Sequence, residues 1–252
     1  MGNNAIIKVR KLTARYGEDV ILHDVSFDVF AGEVLVILGG SGCGKSTLLR
    51  HMIGLNEPFS GNVWIDGADI TSDDEASLHH ALTKIGVLFQ GSALFGSMTI
   101  EENVGLPIEE YSGLAPDAVH SLVGMKLDMV NLRGYENHMP AELSGGMKKR
   151  AGLARAMALN PKILFLDEPS AGLDPVTSAE IDELILHINK SIGTTMVIVT
   201  HELDSIFGVA QRVIMLDKSS QGIIAEGDPA YLRDHSQIPI VRQFFNRKTT
   251  VS

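Results

Sequence analysis

Gly39-Gly40-Ser41-Gly42-Cys43-Gly44-Lys45-Ser46-Thr47 limits what this chain can fold into more than any other stretch. It follows Glu33-Val34-Leu35-Val36-Ile37-Leu38, an apolar run that reads as a buried strand. It precedes Leu48-Leu49-Arg50-His51-Met52-Ile53, which reads as helix. Strand, glycine-rich turn, Lys-Ser and helix together make the phosphate-binding P-loop pattern. The glycines let successive backbone N–H groups turn inward without a Cβ clash, forming an anion nest. The helix N-terminus adds partial positive charge at the same place. Lys45 is expected to reach the β- and γ-phosphates as a point charge, and the Ser46 hydroxyl to ligate Mg²⁺. The pattern implies a site for a nucleoside triphosphate.

Composition narrows the setting. The net charge of −10 argues against broad nucleic-acid binding, which needs clustered cations to displace counterions. No apolar run approaches the roughly 18 residues that a membrane span requires, so work at a membrane implies a partner. Met1-Gly2-Asn3-Asn4-Ala5-Ile6 has neither a signal-peptide core nor the hydroxyl residue of a myristoylation motif. The single cysteine, Cys43, excludes an internal disulfide and fits a reducing cytoplasm. It reads as a small buried filler inside the phosphate loop, whose alkylation would block the site.

Along the chain, Ile6–Val9, Thr13–Tyr16 and Val25–Val29 read as short strands of an antiparallel sheet preceding the P-loop. Tyr16 has two readings, a core aromatic or a flat platform for a base, where stacking is worth roughly 1–3 kcal/mol. Gly61–Gly67 and Ile85–Gln90 give further strands, the second ending in a polar residue before Gly91. From residue 91 to 155 the β-branched runs vanish. Met98–Leu106, Ala115–Met129 and Gly145–Leu159 read as helices, a helical insert between strands of one sheet. Pro161–Pro169 reads as a buried strand ending in two carboxylates, Asp167 and Glu168. Asp174-Pro175 opens a helix with Asp at N-cap and Pro at N1, and Ile181, Leu184, Ile185 and Ile188 form its apolar stripe. Thr194–Thr200 is another strand, ending at His201, and Arg212–Asp217 with Gly222–Glu226 reads as a hairpin. Such alternation implies a largely parallel α/β sheet whose ligands collect beyond the strands' carboxyl ends. The P-loop, Gln90, Asp167-Glu168 and His201 all fall at such ends and are expected to converge.

Side chains of successive residues on an extended backbone point apart, so Asp167 and Glu168 need separate roles. In a P-loop ATPase the first holds Mg²⁺ and the second orients the attacking water. His201 is placed to contact a γ-phosphate; a structural histidine is the plainer alternative. His79-His80 reads as surface. Ser144 caps a helix running to about Leu159, and Gly145 and Gly146 leave its amides exposed as a second anion site. Lys148, Lys149 and Arg150 lie in its first turns, where cations oppose the macrodipole by typically 0.3–1 kcal/mol each, and a docked anion would relieve them. One nucleotide does not need two phosphate sites; two head-to-tail chains would use both.

These motifs resemble those of ATP-binding-cassette (ABC) ATPases over nearly the whole chain: Gly39–Thr47, Gln90, Leu143–Gly146, Ile163–Glu168, Ala171–Asp174 and His201, in that order. The resemblance implies a RecA-like P-loop fold with an N-terminal antiparallel β subdomain and an inserted helical subdomain at 91–155. One nucleotide-binding domain would span residues 1–235, followed by a tail, 236–252, that contacts a neighbouring subunit or frays. It implies a dimer of identical chains sandwiching ATP, each nucleotide held by one P-loop and the other chain's Ser144-Gly145-Gly146. Tyr16 becomes the adenine-stacking aromatic, Gln90 a sensor and ligand of Mg²⁺ and water, and Asp174 a residue crossing the interface. Met147 departs from the glutamine commonly found there, a change expected to be tolerated because the donors are Ser144 and glycine amides. Gln90–Phe95, Met147–Arg150 and Pro239–Phe245 are similar to bacterial lipid-transport ATPases that partner mammalian-cell-entry (MCE) proteins. That implies an integral membrane permease seated near residues 90–107, phospholipid as cargo, and a place on the cytoplasmic face of the inner membrane.

Other classes remain: a cassette of another transporter, a nucleotide-gated module that does not hydrolyse, or a cassette of DNA repair or translation. Glu168, Gln90 and His201 together disfavour the second. A single cassette, acidic charge and no long heptad insertion disfavour the third.

Overall fold

A computed structural model of the chain describes residues 5–72 and 74–246. The segment Met1–Asn4, read above for leader and lipidation signals, and tail residues 247–252 lie outside the described residues. In chain order the elements are β1 (Ala5–Tyr16), β2 (Asp19–Phe30), β3 (Val34–Gly39), α1 (Lys45–Met52), β4 (Ser60–Ile65), β5 (Ala68–Asp69) and α2 (Glu75–Leu82). There follow β6 (Ile85–Leu88), α3 (Ile100–Ser112), α4 (Pro116–Met129), a 3₁₀ turn Pro140–Glu142, α5 (Gly145–Ala156), β7 (Ile163–Asp167) and α6 (Pro175–Ile192). The chain continues through β8 (Thr195–Val199), α7 (Leu203–Val209), β9 (Arg212–Asp217), β10 (Gly222–Gly227), α8 (Pro229–His235) and α9 (Pro239–Asn246). Among the described residues no helix is long and apolar enough to cross a membrane. They fall into two compact units, one within Met1–Ala81 and Thr195–Ser252, the other within Leu82–Thr194.

In the first unit an antiparallel sheet takes the order β2-β1-β4-β5. The two runs Ile6–Val9 and Thr13–Tyr16 are one strand, joined through Lys11, which sits at φ 49 where the register with β2 shifts. A bulge breaks the period-2 pattern without ending the strand, so alternation alone reads it as two. Asp24, at φ 53, likewise extends β2 back to Asp19. The same unit holds β10, β9, β3 and β8 side by side, with β9 and β8 parallel to β3 and β10 antiparallel to β9. Val34 through Leu38 are wholly buried, as a central parallel strand covered on both faces requires. Asp217 closes the β9–β10 turn by accepting from the amides of Ser219 (3.0 Å) and Ser220 (3.1 Å). The tail from Ser236 carries a packed helix: Val241 and Phe245 of α9 are buried, and the Phe245 ring lies 5.7 Å from that of Phe207.

In the second unit β6 and β7 run parallel, Leu88 opposite Leu166. The helices begin and end a few residues from the sequence expectation. α3 starts at Ile100 behind a capping box, Thr99 Oγ1 accepting from the Glu102 amide and Glu102 from the Thr99 amide, and it runs through Pro107 to Ser112. α6 begins as expected, with Asp174 accepting from the amides of Val176 and Thr177 (3.1 Å each), and it buries Ile181, Leu184, Ile185 and Ile188.

Candidate functional site

The first unit carries the phosphate loop. Three of its glycines are required by geometry. Gly39 lies at φ 147, and a Cβ there would come within 2.3 Å of the Leu216 carbonyl oxygen. Gly42 lies at φ 72 and Gly44 at φ 101. A Cβ on Gly44 would stand 2.7 Å from Leu22 Cδ2, so β2 closes against the loop. Gly44 caps α1 with no side-chain hydrogen bond, leaving the first-turn amides to a ligand. The Lys45 ammonium folds back onto the carbonyls of Gly39 (2.9 Å) and Gly40 (3.1 Å). Gly40, Ser41, Gly42 and Ser46 are exposed, while Lys45 and Thr47 are half-buried. A glycine-built cradle, a lysine over it and an exposed hydroxyl in the first turn of α1 fit a triphosphate with its Mg²⁺, Ser46 being the ligand this unit offers. Cys43 is buried as expected, and desolvation raises its thiol pKa above the ordinary value while Lys45 pulls it the other way.

Ile37 of β3 pairs with Val199 of β8 in parallel, so the loop from Gly39 and the residue His201 leave neighbouring strands at the same end. His201 is exposed and borders a cavity of about 430 Å³ whose lining includes Glu202, Asp204 and Phe244 of α9. Tyr16 is 51% exposed, which removes its core reading and leaves the platform one.

The second unit carries the carboxylates and the second anion site. Gln90 and Glu168 each lie two residues beyond the Leu88–Leu166 pair, at one end of β6 and β7. Asp167 is half-buried and Gln90 exposed; Glu168 is buried and holds a left-handed backbone, φ 49. Asp167 and Gln90 are the oxygen donors here suited to a hard cation. Ser144 caps α5, its Oγ accepting from the Met147 amide at 3.3 Å. Ser144 and Gly145 are exposed and Gly146 is buried. Cβ atoms on Gly145 and Gly146 would lie 3.2 Å from Leu173 Cδ2 and 2.5 Å from Thr177 Cγ2. The signature glycines thus admit the Leu173-Asp174 turn and the first turn of α6.

The cation cluster Lys148–Arg150 is not an open anion trap, which corrects the expectation. Arg150 pairs with Glu180 (2.8 Å) and donates to the Val130 carbonyl (3.3 Å). Lys149 is buried and donates to the carbonyls of Gln90 and Glu168. A buried ammonium must spend its donors internally. Sequence reading also passed over Asn103, fully buried in α3. Its Oδ1 accepts from the Phe95 amide (2.8 Å), and its Nδ2 donates to the carbonyls of Phe95, Met98 and Thr99. It thereby shapes the loop that follows Gln90 and presents the half-exposed ring of Phe95. Nothing in the local pattern around Asn103 marks it.

The family model described as "ABC transporter" matches residues 22–171. The chain is 42% identical over 240 residues to the "probable ribonucleotide transport ATP-binding protein mkl" of Mycobacterium leprae, covering 95% of this chain and 68% of that one. It is 39% identical over 226 residues to the "methionine import ATP-binding protein MetN" of Brucella abortus, covering 90% of this chain and 60% of that one. Among solved structures it is similar to the ATP-binding cassette MJ0796 in a dimeric post-hydrolysis state bound to ADP and Pi, with a TM-score of 0.79 and 33% identity over 88% of this chain and 98% of that one. The chain spans between three fifths and two thirds or so of the two curated relatives' own length.

Proposed function

The chain belongs to the ABC transporter family of ATP-binding cassettes, and from that premise we propose that it is the ATPase subunit of a phospholipid transporter, dimerising on ATP to drive a membrane permease. Its fold is the α/β P-loop cassette and its chemistry ATP hydrolysis. The observation that carries the dimer is that the chain owns two helix N-termini prepared for phosphate, α1 behind the P-loop and α5 behind the exposed Ser144 and Gly145. One triphosphate uses one of them. A second copy, turned head to tail, brings the other. The dimeric state of MJ0796, bound to ADP and Pi, supports a dimer here.

In this reading the P-loop amides and Lys45 bind and orient the triphosphate, and Tyr16 stacks on the base. Ser46, Gln90 and Asp167 hold Mg²⁺, which when bound offsets charge on the phosphate oxygens. Glu168 polarises the attacking water, and His201 contacts the γ-phosphate. Gln90 reports nucleotide state to the loop 91–99, and residues 90–107 seat a permease helix. Residues 1–235 act as one nucleotide-binding domain with 91–155 as its helical part, and the tail from 236 meets the neighbouring subunit. The likeness of Gln90–Phe95, Met147–Arg150 and Pro239–Phe245 to MCE-system ATPases supports phospholipid as cargo, an MCE-type protein in the complex, and the cytoplasmic face of the inner membrane as its place. The names of the mycobacterial and Brucella relatives point instead to a nucleotide or an amino acid.

Two measurements test this. Glu168→Gln is expected to bind ATP, stay dimeric and turn over very slowly, and normal phosphate release would remove Glu168 from its role. Purification of the complex from membranes, with mass spectrometry of bound protein and small molecules, is expected to return a permease and phospholipid. Recovery of a nucleotide or methionine as the bound cargo would overturn the lipid reading.

A further inference from the structure

We propose that Lys149 is a positioning residue for hydrolysis: its ammonium locks the backbone of Glu168 to that of Gln90, and so fixes the water-activating carboxylate relative to the residue that senses Mg²⁺. Lys149 lies one turn into α5, and it is only 6% exposed. Its Nζ donates to the Gln90 carbonyl and, at 2.9 Å, to the Glu168 carbonyl. Both acceptors are main-chain atoms, so these bonds set where each residue sits without engaging either functional side chain. Glu168 needs such a hold. Its φ of 49 is a left-handed backbone on a residue with a Cβ, a conformation that persists only where its surroundings enforce it. Lys149 is also the end of a row on α5 that grips the strand and loop leading to and from Gln90. Gly152 admits Leu88 and Ser92, a Cβ there falling 2.7 Å from Leu88 Cδ1. Arg155 donates to the carbonyls of Ser92 (3.0 Å) and Ala93 (2.8 Å). Helix α5 begins at the signature residues Ser144–Gly146, so the row joins the surface offered to a neighbouring copy to the two residues that govern water attack.

This inference rests on the proposed role of Glu168. Displacing a reacting group by an ångström from a distance can cost about 100-fold in rate. Lys149→Met is therefore expected to lower turnover at saturating ATP by about 10- to 100-fold, with ATP affinity changed less than about 3-fold, since the loss falls on the transition state. Lys149→Arg, which keeps several donors, is expected to restore most of the rate; a purely structural role would move affinity, thermal midpoint and rate together. In single-turnover assays on the Glu168→Gln background, Lys149→Met is expected to add less than about 2-fold, because residues acting as one unit are not additive. Wild-type turnover in Lys149→Met beside a slow Glu168→Gln overturns the inference and leaves the role of Glu168 intact. Normal turnover in Glu168→Gln overturns the role of Glu168 itself. Should Lys149→Met not fold, Lys149→Gln decides, since its shorter amide spans one carbonyl: a lowered rate at unchanged affinity supports the inference, and wild-type rate ends it.

Discussion

At Gly44 two independent constraints meet. The backbone is at φ 101, and a Cβ would stand 2.7 Å from Leu22 and 3.2 Å from Ile21 Cγ2. Gly44→Ala is expected to destabilise the protein by roughly 1–3 kcal/mol through backbone strain and to abolish ATP binding, since the loop must shift to relieve it. Chemical denaturation and a fluorescent-nucleotide titration check both, and full affinity in a destabilised variant would separate loop shape from binding. Two turns of α1 further on, His51 is buried with Nδ1 2.9 Å from the Asn56 carbonyl. Burial lowers its pKa from the ordinary 6.5, and the Asn56 contact opposes this more weakly. The unfolded chain therefore takes up the proton first as pH falls. The stability His51 contributes is complete above about pH 6.5 and is lost as pH drops through that value towards the folded pKa. A thermal midpoint that declines from pH 7.5 to 5.5 is expected, with a flatter profile in His51→Gln, which keeps an amide donor and has no titration. Parallel profiles would show that His51 takes up its proton equally in the folded and unfolded states.

Elements carry a different kind of information. The capping box that opens α3 is worth what such caps usually are, so Thr99→Ala is expected to cost about 1 kcal/mol of stability and to speed amide exchange in the first turn of α3. Unchanged exchange there would show that Asn103, not the cap, fixes the start. Order and type were legible for the elements whose causes are local, and not for the short helices α2, α7 and α8. The apolar runs of β3 and β7, the Asp174-Pro175 opening of α6 and the Ser144 cap of α5 each state their structure in a few adjacent residues. What was not legible was set by residues distant in sequence. Lys11 and Asp24 bulge without breaking their strands because β1 and β2 hold each other in register on either side. Pro107 suggested a helix end, yet α3 continues through it. The site shows the same division. The loop glycines, Ser144 and the Asp167-Glu168 pair announce themselves, whereas Lys149 reads as one of three first-turn cations that a docked anion would relieve. Its 59- and 19-residue separations from Gln90 and Glu168 place its meaning outside any local window.

At the scale of the whole molecule, the proposed dimer has each chain supply both halves of a composite site and use them on different nucleotides. In that reading Lys45 and Ser144 belong to the two halves, and this allows them to be broken separately. Lys45→Ala is expected to lose ATP binding altogether, because the cradle loses its only lysine. Ser144→Arg is expected to bind ATP normally in the monomer and fail to dimerise, because a long cation stands on the exposed N-terminus of α5. Neither variant alone should associate on ATP. Mixed, they can form a heterodimer in which the intact P-loop of the Ser144→Arg chain faces the intact signature of the Lys45→Ala chain, while the other site carries both lesions. With Glu168→Gln in both chains to stop turnover, sedimentation is expected to show an ATP-dependent dimer only in the mixture, holding one trapped nucleotide per pair. If each chain instead closed its own Ser144 over its own P-loop, mixing would change nothing, and the head-to-tail dimer would have to be abandoned.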